Sequence, residues 1–257
     1  MENLIINYLG QSGFKIDKEK TSILIDPYLS NSVSEIDSPD LIRQIDIPYA
    51  PETVKNISWV LITHEHIDHC DPKTLPIIYS NNRDCFFVGP SKVCKILEKW
   101  GIDSKQIITA TKEKIDLGNN IKVKSVIAAH PEIEYGDDGL SNCIGWIMEI
   151  GSKKVYFAGD TSVCEELLNE LKWNGSLDLG FLPVNEDNFF RRKRGIIGNM
   201  SVREAFGLAA EVGIKEVFPV HWDMFKVNSV IPKEIEIIYD SYSWPFKLKM
   251  GLNEIKL

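Results

Sequence analysis

Apolar positions near the start of the chain come in short runs. NLIINYLG, GFKID and TSILIDP are separated by glycine or charged turns, a pattern that predicts an antiparallel meander. Periodicity is then lost across residues 27–56, where Pro27, Pro39, Pro48 and Pro51 punctuate a long surface excursion. Loops of that length are usually lids or disordered segments. ISWVLIT follows as a buried strand running to His64, and SKVCKILEKWG reads as a helix. Its Val93, Ile96, Leu97 and Trp100 share one face, with Ser91 expected to cap the start and Gly101 the end. IKVKSVIAAH predicts a strand that delivers His130, and CIGWIMEIGSKKVYFAGD a hairpin turning at Gly151 and Ser152, with Asp160 just beyond it.

A second helix is expected from Ser162, with Glu165 completing a capping box and Val163, Leu167 and Leu171 facing inward. LDLGFLPV is a further apolar strand. Ser201 and Glu204 form another capping box, opening a helix whose Ala205, Leu208, Ala209 and Val212 turn inward before Gly213 stops it. EVFPV then runs as a strand to His221. Strands followed by a helix, in each half, predict an α/β fold: two sheets face to face with helices outside. The expectation is a four-layer αββα sandwich in one domain over residues 1–257, with the excursion at about 27–56.

Composition narrows the function classes. A chain of 257 residues with 44% hydrophobic and 26% charged residues has ordinary globular composition. Its net charge of −8 counts against nucleic-acid binding, which needs cationic surface for phosphates. No apolar run approaches the roughly 18–20 residues of a membrane span, and no basic-then-apolar leader opens the chain. Five cysteines lie in no CxxC pair, which suits reduced thiols rather than a disulfide framework or a thiolate metal site. A cytoplasmic protein with a small-molecule substrate is expected, with no membrane or nucleic-acid partner and a homo-oligomer left open.

The chemistry concentrates in THEHIDHCD. His64, His66 and His69 follow one strand end, His130 and His221 two others, and Asp160 is placed in the same way. Side chains at strand ends can converge on one rim of a sheet sandwich. Imidazoles with carboxylates and no thiolate make a ligand set for a divalent Zn, Mn or Fe ion. Strand alternation lets His64 and His66 face the same side, while Asp68 and His69 reach toward a second ion. A pair of such ions can activate water and polarise the bond to be cleaved.

THEHIDHCD resembles the HxHxDH signature of the metallo-β-lactamase fold, and His130, Asp160 in FAGDT and His221 in PVHWD resemble its later ligand motifs in order. The resemblance implies that His64, His66 and His130 hold a first metal. It places Asp68, His69 and His221 on a second, with Asp160 bridging. HCDP, LPVN, IIGNMSVREA and PVHWDMF look most similar to the L-ascorbate-6-phosphate lactonase-like branch, which implies opening of the lactone of a phosphorylated sugar acid and makes Mn²⁺ a candidate beside Zn²⁺. Gln11 in LGQSG departs from the pattern, since relatives often carry histidine there.

Other residues complete the expectation. Asp26 in ILIDP either orients a metal-bound imidazole or shapes a turn before proline. Arg191, Arg192 and Arg194 form a cationic cluster for a substrate phosphate or carboxylate, the alternative being a solvated loop. Asn185, at a strand end, is a candidate donor to a substrate oxygen, the alternative being turn chemistry. The absence of G-x-S-x-G, HExxH, Walker A and GxGxxG motifs counts against serine hydrolase, thermolysin-like and nucleotide-binding readings. The resemblance therefore implies a lactonase using one or two divalent ions, with Asp68 and Asp160 as catalytic carboxylates and an anionic substrate. A phosphodiesterase or other small-ester hydrolase on the same site is the alternative.

Overall fold

Three early apolar runs form strands β1 (Ile5–Gly10), β2 (Gly13–Lys18) and β3 (Thr21–Ile25) of a computed structural model that describes residues 4–251 and 253–256. They pair antiparallel, as their Gly and charged turns predict. After the excursion, β4 (Trp59–Leu61), β5 (Phe86–Gly89) and β6 (Ile107–Thr109) extend the sheet in parallel register. The second sheet is built from β7 (Ile115–Gly118), β8 (Ile121–Ile127), β9 (Ile144–Ile150) and β10 (Lys153–Phe157), then β11 (Leu179–Pro183), β12 (Glu216–Val220) and β13 (Lys247–Leu248). Last in the chain, β14 (Glu254–Lys256) returns to pair with β1, giving sheets ordered β14-β1-β2-β3-β4-β5-β6 and β13-β12-β11-β10-β9-β8-β7.

Among the described residues five helices cover the outer faces, α1 (Leu75–Asn81), α2 (Ser91–Lys99), α3 (Glu165–Trp173), α5 (Val202–Val212) and α6 (Pro232–Asp240), while α4 (Phe189–Arg192) is one exposed turn in the loop after β11. Between the sheets lies a core of inward-facing residues from both, among them Ile6, Phe14, Ile23 and Leu61 against Trp146, Phe157, Phe181 and Phe218. Phe181 is its aromatic hub, with ring centroids 4.4 Å from Phe14 and 4.9 Å from Phe157. Leu75, Ile78, Val93 and Leu97 seal α1 and α2 onto the first sheet. On the second sheet Leu167, Leu171, Ala205, Leu208 and Ile235 do the same for α3, α5 and α6. The result is the four-layer αββα sandwich. No helix among the described residues is long and apolar enough to cross a membrane.

Two predicted helix starts need correction. The helix expected from Ser162 begins at Glu165 with Cys164 extended before it, because the Ser162 N–H donates to the Ala129 carbonyl at 2.6 Å in an inter-strand bridge. That bond holds the chain extended where a cap would have to release it. Ser91 is the first helical residue rather than the cap, and its hydroxyl donates to Asp138 instead. The Ser201–Glu204 pair does form a capping box, and Gly213 ends that helix in the left-handed region at φ 76°.

Residues 27–56 are neither disordered nor remote. Tyr28, Val33, Met224 and Phe225 pack together, and the Arg43 guanidinium donates to the Tyr28 and Ile45 carbonyls at 2.9 Å each. A backbone bridge from Arg43 to Phe225 and a bond from Gln44 N–H to the Met224 carbonyl (2.8 Å) fasten the excursion beside the loop that follows His221.

Candidate metal centre

Strands β4, β8, β10 and β12 all end toward one rim, because β8 and β10 flank β9 antiparallel and β12 runs parallel to β10 through β11. The Ile144 N–H donates to the Thr63 carbonyl at 3.1 Å and ties the two sheets together at that rim. His64, His66 and His69 follow β4, His130 follows β8, Asp160 follows β10, and His221 directly follows β12. Gly159 before Asp160 has φ 61°, and a Cβ there would lie 2.8 Å from Thr63 Cγ2, so the turn that aims Asp160 requires glycine.

All seven of these His and Asp positions, Asp68 included, meet in one cluster. Three trios each bring ligand-capable atoms within 4.8 Å of one another: His64, His66 and His130; His64, His69 and Asp160; Asp68, His69 and His221. Asp160 Oδ1 lies 3.3 Å from His69 Nε2 and 3.2 Å from His221 Nε2, while its Oδ2 lies 3.5 Å from His130 Nε2. Asp68 Oδ2 is 3.3 Å from His221 Nε2 and 3.6 Å from His69 Nε2.

The outer ring of contacts fixes the tautomers. Asp26 Oδ2 accepts from the Thr63 hydroxyl at 2.6 Å and lies 2.8 Å from His69 Nδ1, and its Oδ1 accepts the Thr63 N–H at 2.8 Å. His69 therefore donates from Nδ1 and turns Nε2 to the cluster as the atom that a cation would take in place of a proton. Thr63, having given its proton to Asp26, can only accept from His64 Nδ1 at 3.0 Å, which bares His64 Nε2 in the same way. His64 Nε2 lies 3.0 Å from His66 Nδ1, so two imidazole nitrogens share a space that a proton or a cation must occupy.

Charge behaves accordingly. Burial lowers the pKa of His64 well below the usual imidazole value, and it lowers that of His130 to about 4. Burial opposes charge on His69 and His221 as well. There Asp160 and Asp68, with Asp26 beside His69, outweigh it, raising His69 well above the ordinary value and His221 to about 9. Burial also opposes ionisation of Asp68 and Asp160, yet His69 and His221 hold both below the usual carboxylate range. Asp26 goes the other way, raised by its complete burial.

A divalent cation fits this donor set. Asp160 Oδ1 and His69 Nε2 are buried without a hydrogen bond among the described residues, and they face each other at 3.3 Å. Buried polar atoms are rarely left so, except where an ion completes them.

Some contributors left little trace in the sequence. Gln11 is buried, and its amide nitrogen donates to Asp68 Oδ2 at 2.6 Å and approaches His221 Nε2 at 2.8 Å. Gln11 and His221 both occupy the left-handed region, at φ 58° and 61°, and the His221 N–H donates to the Gln11 carbonyl at 2.9 Å. Two strained non-glycine residues clasped together mark a site under constraint. The only sequence signal was the break from pattern at LGQSG.

The cluster opens into a cleft of ≈ 380 Å³. Val33, Asp37, Ser38 and Leu41 of the excursion form one part of its wall, and Arg194, Ile196, Phe225 and Asn228 contribute another. Of the expected substrate contacts only Arg194 lines the cleft. Arg191 instead donates to the backbone carbonyls of Glu186 and Ser229, Arg192 pairs with Asp187, and Asn185 is fully buried between Asn199 and Asn228.

Solved structures share this frame. Igni18, a metallo hydrolase from the hyperthermophilic archaeon Ignicoccus hospitalis, superposes with a TM-score of 0.71 at 20% identity, covering 99% of this chain and 97% of that one. An isothiocyanate hydrolase from Delia radicum gut bacteria gives 0.76 at 14% identity, covering 98% of each chain. In sequence, a UPF0173 metal-dependent hydrolase of Alkaliphilus metalliredigens is 26% identical over 234 residues, covering 90% of this chain and 91% of that protein. The beta-lactamase superfamily domain matches residues 21–222. That match runs from β3 to the residue after His221 and takes in every histidine of the chain, which thus belongs to the beta-lactamase superfamily.

Proposed function

We propose that the protein is a metal-dependent hydrolase that opens the lactone of a small anionic substrate, a phosphorylated sugar acid being the first candidate. The observation that carries this reading is the convergence of five imidazoles and two ionised carboxylates at the floor of one open cleft. The likeness to a relative described as a metal-dependent hydrolase supports it, and the motif resemblance to lactonases of phosphorylated ascorbate supports the substrate class.

In this reading His64, His66 and His130 would hold one divalent ion and Asp68, His69 and His221 a second, with Asp160 between them and Mn²⁺ or Zn²⁺ as the candidates. Such ions supply Lewis acidity toward the ester carbonyl and a water made acidic enough to attack at neutral pH. The chain's own residues do the rest. Asp26 and Thr63 keep His69 and His64 in the tautomers that turn Nε2 inward. Gln11 fixes Asp68 Oδ2, leaving Oδ1 to take a proton from the attacking water. The apolar Val33, Leu41, Ile196 and Phe225 thin the water around the ester and strengthen every charge interaction inside. Arg194 meets the anionic tail.

The test is hydrolysis after reconstitution with Mn²⁺ or Zn²⁺, using a sugar-phosphate lactone, an unphosphorylated lactone and a phosphodiester. Lactone turnover that chelation abolishes and metal restores is expected. Turnover of the phosphodiester alone would move the reading to phosphodiester hydrolysis on the same residues.

A further inference from the structure

Three buried asparagines form a relay that ends in the cleft. Asn199 Nδ2 donates to Asn185 Oδ1 at 2.9 Å, and Asn185 Nδ2 donates to Asn228 Oδ1 at 3.2 Å. Each bond uses a carboxamide oxygen, so each amide nitrogen is turned to the next residue along. Asn185 and Asn199 are 0% and 2% exposed, and the relay is fixed on backbone at both ends. Asn199 N–H donates to the Asn185 carbonyl at 3.2 Å, and Asn228 N–H donates to the Phe225 carbonyl at 2.9 Å. Asn228 lines the cleft, and its Nδ2 has no partner among the described residues.

Arg194 lines the same cleft, and its guanidinium too has no partner among the described residues. Arg191 ties the two loops together, its guanidinium donating at 2.8 Å to the carbonyl of Ser229, the residue after Asn228. Arg191 thus works as a clamp between two loops, Arg194 as the cation on one, and Asn228 as an oriented N–H donor on the other. A cation and a fixed neutral donor lining one cleft, together with Ile196 and Phe225, suit an oxyanion rather than a neutral hydroxyl.

We propose that Arg194 and Asn228, aligned by the Asn185–Asn199 pair, form a subsite for the oxyanion tail of the substrate, a phosphoryl or carboxylate group, apart from the metal-ligating residues. The substrate named above rests on the hydrolase reading; the subsite itself can be tested without it.

The direct probe is calorimetric titration of the metal-loaded protein with inorganic phosphate and, separately, with acetate. The tighter of the two identifies the tail as phosphoryl or carboxylate. Asn228→Asp keeps the side chain's shape and its acceptor for Asn185 but replaces the donor with a repelling oxygen. Arg194→Gln removes the cation. Each is expected to weaken the bound anion about tenfold, the scale of a hydrogen bond to a charged group, with metal content unchanged. In kinetics, the preference for a phosphorylated over an unphosphorylated lactone should fall by the same factor. Full-strength anion binding in both variants would assign that binding to the metal centre and overturn the subsite. Binding in Asn228→Asp equal to or tighter than in the parent would mean that an oxygen faces the cleft, overturning the donor role. If no lactone is turned over at all, the hydrolase reading fails while the anion titration still decides the subsite.

Discussion

Asp160→Asn is expected to lower hydrolysis by about two to four orders of magnitude at a fixed metal concentration. The carboxylate is 3% exposed and stands between three imidazoles, with Oδ1 3.2 Å from His221 and 3.3 Å from His69, and Oδ2 3.5 Å from His130. Asparagine keeps the shape, but it removes the charge that His69 and His221 balance. It also turns an N–H₂ toward nitrogens that need an anion or a cation. Removing one partner of a buried charged set costs roughly 3–5 kcal/mol, and each 1.36 kcal/mol is about tenfold in rate. The check is kcat/KM against metal concentration, with circular dichroism showing that the fold is kept. Activity within about threefold of the parent would place the chemistry elsewhere.

The second large effect is on metal affinity. Asp26→Ala should weaken divalent-ion binding about 10- to 100-fold, the usual cost of removing a carboxylate that orients a ligand histidine. Asp26→Asn should be at least as damaging, which separates tautomer control from simple packing. Its carboxamide oxygen can still accept from the Thr63 N–H, but its N–H₂ would face His69 Nδ1. His69 would then carry its proton on Nε2, pointed at Asp160 and the ion's place. Competition with a chromophoric chelator measures both variants. An Asp26→Asn protein with parental affinity would show that Asp26 only shapes the turn before Pro27.

The sheets and the histidines were legible because both are written locally. Short apolar runs such as TSILI and EVFPV fit only buried strands, and a histidine just past such a run must lie at a sheet rim. Partner choice is not local. Nothing in NEIKL says that it pairs with the first strand, as Ile255 does with Ile6, since that register is set by two faces closing over one core. The start of α3 was misplaced for the same reason: a bridge from Ser162 to a distant Ala129 overrode a good capping pattern.

Within the site, the separation falls between charge and neutral polarity. Arg191, Arg192 and Arg194 stand out in sequence as one cluster. Folding divides them into a loop clamp, a surface ion pair with Asp187 and a cleft residue, because successive side chains on a short turn point in different directions. Asn228 carries no charge and sits in no motif, so only its contacts reveal it, while Gln11 shows in sequence only as a departure at LGQSG and its contacts supply its role. Cys70, by contrast, is buried among Ile62, Leu75 and Val93 as a small apolar residue, despite standing next to His69.

The proposed hydrolysis depends on the His and Asp cluster holding divalent ions. The most direct measurement is elemental analysis of protein purified without chelators or a histidine tag, alongside His66→Ala prepared in the same way. The account predicts about one to two equivalents of Mn or Zn per chain in the parent and a clear loss in the variant. A metal-free parent that also fails to bind added Mn²⁺ or Zn²⁺ would contradict it.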